Sequence, residues 1–351
     1  MKKELRIRSK SSLLTVMDGA ITQPPPLWFM RQAGRYLPEY RKIRKKAKGF
    51  VELCLDPALA VEVTLQPVQR FNLDAAILFS DILIVLHALG VKLWFEQGEG
   101  PRLDPVGDET TFKRMRENLD RSIVDRVYEA VEKARVLLAD EIALIGFCGA
   151  PWTVATYLIA GQGTKDQAPA KELVLHDQNL FSKIIDRLTT ATAEHLIGQL
   201  RAGADVVQIF DTWAGALDPK AYERWCVEPT VEIVAKIRAA IPDARVIVFP
   251  KGVELAGIER LVQACGADAV SLDQGVDRKL ARQRLGSRSA IQGNLDPLTL
   301  VAGGEALDRE IDGILEAFHG TRHIFNLGHG IRPETPIAHV ERMIARVRQG
   351  A

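Results

Sequence analysis

Cysteine is scarce in this sequence, with four residues in 351 that stand far apart and never form a Cys-x-x-Cys pair. They are Cys54, Cys148, Cys226 and Cys265, and none has a histidine beside it at a metal-binding spacing. This usage is typical of a reduced intracellular protein, and it argues against disulfides and against structural zinc. We therefore expect no metal site.

The sequence also lacks a charge excess and an export signal. The 46 basic and 45 acidic residues give a net charge of +1, so no basic field draws the chain onto nucleic acid or anionic lipid. Charges occur throughout residues 1–10, and no apolar run of the kind found in secretory signals follows them. We expect a cytoplasmic protein with no nucleic-acid partner and no membrane partner.

Residues 142–164 carry no charge over a length that would span a bilayer. Gly146, Gly149 and Pro151 interrupt this run near its middle, and the half before them differs in composition from the Ala/Thr/Tyr half after them. We interpret the run as a buried strand, a tight turn and then a helix.

Short apolar runs alternate with longer amphipathic stretches along the chain. The eight strand candidates are Leu27–Met30, Ala75–Phe79, Ala143–Phe147, Val206–Phe210, Val246–Phe249, Ala269–Leu272, Ala290–Gln292 and Ile324–Leu327. The helical patterns include Ala58–Arg70, Asp125–Leu138, Leu180–Arg201, Pro219–Ala240, Ile258–Cys265, Glu305–Phe318 and Ile337–Arg348. The sequence thus predicts eight βα units.

Eight such units favour an α/β fold of the closed (β/α)8 TIM barrel type over the alternative, an open doubly wound sheet with about six strands. We expect a single domain over residues 1–351, with residues 1–20 as an N-terminal arm or helix. The long connection Val91–Leu119 is expected to contain a hairpin, because it is too short and too irregular for a second domain.

Barrel active sites are built on the loops that follow the strands, so the residues at these positions are the candidates. Polar residues occupy almost every predicted strand end, namely Arg31, Arg35, Ser80, Asp81, Cys148, Asp211, Thr212, Lys251, Asp273, Asn294, Asp296 and His329, with Tyr157 one turn further on. The sequence contains no P-loop, no dinucleotide fingerprint after a strand and no His-Glu-x-x-His motif.

The stretch WFMRQAGRYLPEYRKIR, residues 28–44, holds four arginines and one lysine against a single carboxylate, Glu39. A guanidinium offers a planar fork that meets a carboxylate or a phosphate in two parallel hydrogen bonds. The alternative is a solvated basic loop with Glu39 as its partner. Because Arg31 and Arg35 directly follow an apolar strand, we favour binding for them, and both interpretations stay open for Arg41 and Arg44.

Asp81 is the only residue with a formal charge at pH 7 in the apolar stretch AAILFSDILIVLHALG, residues 75–90. A carboxylate there needs either a partner or a function, and a helix cap is the equally good alternative. His329 lies between two glycines, which leave its imidazole unshielded. Lys251 at a strand end suggests a Schiff base, although nothing nearby in the sequence would lower its pKa.

The segment PLWFMRQAGRYLPEYR resembles the N-terminal signature of the uroporphyrinogen decarboxylase family, and GFCGAPWTVATYLIAG resembles its second signature. The segments EVTLQPVQRFNLDAAILFSDIL, IFDTWAG, IQGNLDP and NLGHGI also resemble family segments and follow in family order. The resemblance implies a single-domain barrel, commonly a homodimer. Such enzymes remove four acetate carboxyl groups from uroporphyrinogen III to give coproporphyrinogen III, without metal or organic cofactor.

The resemblance also implies which residues act. Substrate-binding residues carry over at Arg31, Gln32, Ala33, Gly34, Arg35, Asp81, Tyr157, Thr212 and His329, with Phe50 and Arg44 less securely placed. The substrate is an anionic tetrapyrrole with eight carboxylates, which accounts for the arginines. Catalysis would involve Asp81, Arg31, Tyr157 and His329, and the proton donor stays open between an arginine-bound water, Arg31 itself and another group.

Two other functions remain open at this point. A corrinoid or folate methyltransferase on a related barrel would need zinc ligands at the strand ends, where only Cys148 is suitably placed. A non-catalytic tetrapyrrole carrier would keep the arginines and lack turnover. Metal analysis tests the first alternative, and an activity measurement tests the second.

Overall fold

The structure is a computed structural model that describes residues 11–96 and 100–350. The strands in these ranges are β1 (Ala75–Ile77), β2 (Leu93–Glu96), β3 (Gly100–Leu103), β4 (Ala143–Gly149), β5 (Val206–Asp211), β6 (Arg245–Pro250), β7 (Ala269–Ser271), β8 (Ala290–Gln292) and β9 (His323–Ile324). The first helices are α1 (Ser12–Met17), α2 (Pro38–Lys46), α3 (Phe50–Leu55), α4 (Pro57–Phe71), α5 (Ile84–Ala88), α6 (Glu109–Phe112), α7 (Arg121–Leu137), α8 (Pro151–Ala160) and α9 (Ala168–His176). They are followed by α10 (Gln178–Ala202), α11 (Pro219–Tyr222), α12 (Glu228–Ala240), α13 (Leu255–Cys265), α14 (Arg278–Leu285), α15 (Pro297–Ala302), α16 (Gly304–Ala317) and α17 (Ile337–Gln349).

Seven of the strands form one parallel sheet, in the order β1-β4-β5-β6-β7-β8-β9. Each strand pairs in parallel with the next strand of the sheet along the chain, as βα units require. The remaining two strands, β2 and β3, form an antiparallel pair within the connection predicted to hold a hairpin. The residues that join them, 97–99, lie outside the described ranges. The hairpin and seven of the eight predicted strands are confirmed.

The prediction of a regular first strand at Leu27–Met30 is wrong. This segment makes a single parallel bridge, to Phe325. Its first and last N–H groups donate hydrogen bonds to the side chains of Asp74 and Asn326, at 2.6 and 3.1 Å. In a regular strand these N–H groups would bond to the backbone of a neighbouring strand. These side-chain bonds hold the segment beside β9 without a continuous strand register.

The predicted helices all form, and one of them has an interruption that the sequence did not indicate. Pro219–Ala240 divides into α11, a π-helical stretch at Glu223–Val227, and α12. Pro229 lies at the start of α12, where its missing N–H and its ring would disturb a continuous α-helix. The wider π-helical turn accommodates this proline.

The uncharged run at residues 142–164 forms β4 and then α8, which begins at Pro151, so the predicted strand, turn and helix are confirmed. Within the two described ranges, none of the helices has both the length and the apolar character that a membrane span requires.

The apolar side chains form two clusters, one on each face of the curled sheet. The larger cluster lies between the sheet and the helices. The smaller one fills the inner face, where Leu13, Val16 and Met17 of α1 join strand residues such as Ile145 and Ile247. Asp18, directly after α1, pairs through both carboxylate oxygens with Arg245 at the start of β6, at 2.6 and 2.7 Å. Helix α1 therefore covers the amino ends of the strands and leaves the carboxyl ends for a site.

Candidate active site

The sequence-predicted site residues lie after the strands, at the carboxyl edge of the sheet. Asp81 follows β1, Tyr157 belongs to the helix that opens after β4, Thr212 directly follows β5, and His329 follows β9. The arginine loop follows Leu27–Met30, which is bridged beside β9. The parallel arrangement thus collects residues from distant parts of the chain at one edge.

Arg31 is exposed and has a left-handed backbone conformation, with φ of 61°, which a non-glycine residue adopts only at some cost in energy. Its side chain runs over Gly330, where an added Cβ would lie 2.3 Å from the Arg31 Cδ. The Ile331 N–H donates to the carbonyl of Met30 at 2.9 Å and joins the two loops beneath this contact. The loops that carry Arg31 and His329 are therefore packed against each other.

Gln32 is fully buried, and its side-chain amide donates to the carbonyl of Ala75 at 3.1 Å. Its backbone carbonyl accepts the Tyr36 hydroxyl at 2.7 Å. These bonds anchor the arginine loop to the sheet, and contact between Gln32 and a substrate stays a prediction. Ala33 and Gly34 are half-buried and form the thin part of the loop.

The positive charge of this loop is not neutralised by its own carboxylate. Glu39 pairs with Arg70 of α4, through both carboxylate oxygens, at 2.6 and 3.1 Å. In the part of the chain that the structure describes, Arg31, Arg35 and Arg44 form no ion pair with a carboxylate. Glu39 is therefore not the partner of these arginines, and that part of the alternative of a solvated basic loop is wrong.

Arg41 has a local role. Its guanidinium donates to the backbone carbonyls of Arg35 and Tyr36, at 2.7 and 3.1 Å. Because these bonds hold the end of the loop to α2, Arg41 stabilises the segment that presents Arg35.

Asp81 is half-buried and accepts the Leu83 N–H at 2.8 Å, within the turn that precedes α5. The N-cap of α5 is Leu83, which receives no side-chain cap, so the alternative of a helix cap at Asp81 is wrong. Burial raises the pKa of Asp81, while the Leu83 hydrogen bond and the charge of Arg31 oppose that rise. The charge of Asp81 in turn helps to raise the pKa of Tyr157. Asp81 therefore lies within electrostatic range of both Arg31 and Tyr157.

His329 is held as a neutral imidazole. Burial lowers its pKa to about 3, and the positive charges of Arg31 and Lys251 contribute to that lowering. Its Nδ1 atom is buried and has no hydrogen-bond partner within residues 11–96 and 100–350. A neutral imidazole has one donor and one acceptor nitrogen, so it can hydrogen-bond either a carboxylate or an N–H group.

Thr153 and Trp213, which the sequence does not single out, help to hold the segments that carry Tyr157 and Thr212. The Thr153 hydroxyl donates to the buried carboxyl group of Asp211 at 2.6 Å and accepts the Trp213 N–H at 3.1 Å. The rings of Tyr157 and Trp213 are 6.5 Å apart. This chain of contacts fixes the end of β5 against the start of α8.

Three phenylalanine rings cover the inner face at the carboxyl edge. The rings of Phe147 and Phe210 are 5.6 Å apart, those of Phe210 and Phe249 are 6.1 Å apart, and both pairs meet edge to face. All three rings could have been found from the inward alternation along β4, β5 and β6. Phe79 packs on Tyr40, with their ring centroids 5.7 Å apart.

Phe50 begins α3 and is half-buried, with its ring 5.8 Å from Phe79 and 4.5 Å from Phe95. Phe50 thus packs with Phe79 and Phe95, and its contact with a substrate stays a prediction.

No group of three or more His, Cys, Asp or Glu side chains suited to a metal ion occurs within residues 11–96 and 100–350. Cys148 is a buried free thiol, and burial raises its pKa to about 12. A thiol binds zinc as the thiolate, so its environment disfavours the zinc site that a methyltransferase would need.

The parallel sheet and the charged groups at its carboxyl edge define the class of this protein as an α/β enzyme. A model of the family described as uroporphyrinogen decarboxylase (URO-D) matches residues 8–350. The chain belongs to the uroporphyrinogen decarboxylase family and is a carboxy-lyase.

Two curated relatives are similar over nearly their whole length. A uroporphyrinogen decarboxylase from Brucella anthropi is 53% identical over 343 residues, which cover 97% of this chain and 99% of the relative. A uroporphyrinogen decarboxylase from Chelativorans sp. is 52% identical over 344 residues, with coverage of 97% and 99%.

Two solved structures share the fold. A methyltransferase from Methanosarcina mazei superposes with a TM-score of 0.76 at 18% identity, covering 97% of this chain and 99% of that one. A B12-independent methionine synthase from Shewanella sp. W3-18-1 gives a TM-score of 0.58 at 11% identity, with coverage of 93% and 94%. At these identities the likeness concerns the fold alone.

Proposed function

We propose that this chain removes the four acetate carboxyl groups of uroporphyrinogen III and produces coproporphyrinogen III, a step of heme biosynthesis. The observation that carries the proposal is a pair of exposed arginines, Arg31 and Arg35, that have no ion-pair partner among the described residues, with Arg31 in electrostatic range of the half-buried acid Asp81. A substrate with eight carboxylates would supply the missing partners. The family of the chain supports the same reaction.

The substrate can serve as its own electron sink, so the reaction needs no cofactor. Protonation of a pyrrole carbon makes the ring an iminium-like cation. The bond to the departing carboxylate then breaks, and its electron pair passes into the cationic ring as carbon dioxide leaves, which gives an exocyclic methylene group. The methylene carbon takes up a proton to become the methyl group, and the ring carbon gives back the proton it had gained. The proton donor stays open between an arginine-bound water, Arg31 and another group of the site.

Asp81 would stabilise the cation. Its carboxylate, aimed at the pyrrole N–H groups, meets a positive charge that exists chiefly in the intermediate and the transition state, which is the binding that raises kcat. Burial raises the pKa of Asp81, whereas the hydrogen bond from the Leu83 N–H and the charge of Arg31 lower it. The hydrogen bond and the arginine therefore both favour the ionised carboxylate.

The other site residues would hold the substrate. Tyr157 and Thr212 would hydrogen-bond a carboxylate near the reacting acetate, and neutral His329 a propionate or a pyrrole edge. Arg44 and Phe50 would assist at the rim, and Phe210 would lie against the macrocycle. Gln32, Ala33 and Gly34 would contribute through the shape of the arginine loop.

We also propose the finer architecture that the sequence predicts. Leu27–Met30 would complete a closed (β/α)8 barrel, which is supported by its bridge to Phe325 and by the hydrogen bond from the Asp74 N–H to the Leu27 carbonyl at 3.0 Å. Residues 1–351 would form one domain, with 1–20 as an arm of which residues 1–10 lie outside the described ranges. The enzyme would be a cytoplasmic homodimer, and sedimentation should give twice the chain mass of 38.8 kDa.

The decisive experiment is anaerobic incubation of the purified protein with uroporphyrinogen III, followed by oxidation and chromatography of the porphyrins. The expected products carry seven, six, five and finally four carboxyl groups. A substrate that keeps all eight would contradict the proposal and favour a carrier, and stoichiometric zinc in the purified protein would favour a methyltransferase.

Asp81→Asn is expected to lower kcat on the order of 10²-fold to 10³-fold, by analogy with the loss of one charge-stabilising group from other active sites. Binding of an octacarboxylate porphyrin, measured by fluorescence, should change little because the arginines remain. Turnover at the wild-type rate in this variant would remove the role assigned to Asp81.

A further inference from the structure

Lys251 lies at the carboxyl edge and is not used by the mechanism above. It directly follows β6, along which Ile247 and Phe249 belong to the inner cluster while Val246 and Val248 belong to the outer one. Continuing this alternation by two residues from Phe249 places Lys251 on the inner side, above the aromatic rings.

The backbone of Lys251 is fixed by its neighbours. Its N–H donates to the carbonyl of Asp211 at 3.1 Å, and its carbonyl accepts the Gly215 N–H at 3.0 Å. The side chain is half-buried and forms no ion pair with any carboxylate of residues 11–96 and 100–350. By contrast, Lys133 on the outer helix α7 pairs with Glu129 at 2.6 Å.

The charge of Lys251 reaches the candidate site. It acts on His329, whose ring is 6.2 Å from that of Phe249 in the strand that leads to Lys251. The charge of Arg31 acts on the same imidazole. His329 therefore lies within electrostatic range of two cations, neither of which forms an ion pair with a carboxylate of the described residues.

In the closed barrel proposed above, the order of the strands places the segments that lead to Arg31 and to Lys251 on opposite sides. From Leu27–Met30, which precedes Arg31, β6 is the fourth strand in one direction, through β1, β4 and β5, and the fourth in the other, through β9, β8 and β7. A ligand that meets both cations must therefore carry negative charge on two opposite sides.

We propose that Lys251 is a further substrate-binding residue, which binds a carboxylate of the macrocycle on the side of the site opposite Arg31. The inference rests on the proposed function, because carboxylates all around the rim of uroporphyrinogen III are what would match cations on opposite sides. It replaces the Schiff base suggested by the sequence, since this substrate offers no ketone or aldehyde to an amine.

The test compares Lys251→Met, which keeps the length of the side chain without its charge, with Lys251→Arg, which keeps the charge. Lys133→Met is the matched control, because it removes an exposed lysine from an outer helix. We expect Lys251→Met to raise KM for uroporphyrinogen III roughly tenfold or more, the usual effect of losing one charge-assisted hydrogen bond. A kcat within about twofold of wild type is expected, because ground state and transition state lose the same contact. Lys251→Arg should restore most of the affinity, and the control should behave as wild type.

A second substrate, the pentacarboxylate intermediate, identifies the group that is bound. An equal rise in KM for both substrates assigns a propionate to Lys251, and a smaller rise for the pentacarboxylate assigns an acetate. An unchanged KM for both in a folded Lys251→Met protein would overturn the proposal, as would a loss confined to kcat.

Binding of the oxidised octacarboxylate porphyrin, followed by fluorescence, keeps the inference separate from the proposed function. If the wild type binds this porphyrin but does not decarboxylate uroporphyrinogen III, the proposed function fails while the ratio of Kd values between Lys251→Met and wild type still tests Lys251. Circular dichroism of each variant excludes misfolding as the cause of a weaker affinity, and Lys251→Arg provides a second folded reference.

Discussion

Gly330 lies beneath the side chain of Arg31, and this contact explains why a residue without a Cβ stands there. We expect Gly330→Ala to push the guanidinium away, because the new Cβ would lie 2.3 Å from the Arg31 Cδ. Displacement of a positioning group by about 1 Å can cost on the order of 10²-fold in rate, so kcat/KM for uroporphyrinogen III should fall by up to that factor.

The matched control is Gly313→Ala on α16, where the added Cβ would meet nothing closer than a side-chain atom of Arg278 at 3.9 Å. This variant should keep wild-type kinetics. Equal activities of the two variants would show that the position of Arg31 does not matter.

Asp211 makes stability depend on pH in a direction unusual for an acid. Burial raises its pKa to about 6, while hydrogen bonds from Thr153 and Cys226 oppose the rise. Since the pKa of an unfolded aspartate is about 3.9, the folded state binds the proton more tightly between about pH 4 and pH 6. The contribution of Asp211 to the free energy of unfolding is therefore present below about pH 4 and is lost as pH rises through 6, by about 3 kcal/mol in total.

Urea unfolding of the wild type and of Asp211→Asn from pH 4 to pH 7 measures this contribution. The free energy of unfolding of the wild type minus that of the variant should fall as pH rises, because the variant lacks the titrating group. Buried His195 and His323, whose pKa values burial lowers to about 4, act in the opposite direction and cancel in the difference. A difference that does not vary with pH would contradict the assignment.

For single residues, the sequence could indicate which side chains lie at the carboxyl edge of the sheet, but not which side chains they contact. Arg31 and Asp81 were found because residues after a strand reach the carboxyl edge by a local rule. The partner of Glu39 was not found, because Arg70 lies on another helix and approaches only when α2 and α4 pack together. The contact between Thr153 and Asp211 was missed for the same reason, since nothing in either segment indicates the other.

Helix α1 is the element that covers the amino ends of the strands. Leu13 is fully buried in the inner cluster, so Leu13→Ala should lower the free energy of unfolding by about 2 to 5 kcal/mol, the usual effect of a cavity in a core. Leu280→Ala is the control, because Leu280 is 47% exposed and its truncation should cost much less. Equal unfolding midpoints in urea would show that α1 does not stabilise the fold.

The elements themselves were largely predictable, since strand and helix periodicities differ and turn residues separate them. The irregular segment Leu27–Met30 was not, because side chains from Asp74 and Asn326 supply bonds that no local pattern reveals. The π-helical stretch Glu223–Val227 was also missed, since Pro229 marks a disturbance without showing how the helix absorbs it.

The molecule as a whole carries a net charge of +1, so attraction for an anionic substrate must come from the cations at one edge. We expect KM for uroporphyrinogen III to rise several-fold between 0.05 and 0.5 M sodium chloride, because exposed charges are screened over about 10 Å at 0.1 M salt. The value of kcat at saturating substrate should change little. A KM independent of salt would contradict binding by exposed arginines.

Because α1 closes the amino-terminal end of the sheet, a substrate can enter and leave only at the carboxyl-terminal end. Under the proposed reaction, four acetates would share the single acid Asp81, and the rings behind them could not pass deeper than the three phenylalanines. The macrocycle would therefore have to rotate within the site, or dissociate and rebind, between successive losses of carbon dioxide. The three phenylalanine rings, which limit how deeply it can bind, would thus help to decide whether partly decarboxylated intermediates are released.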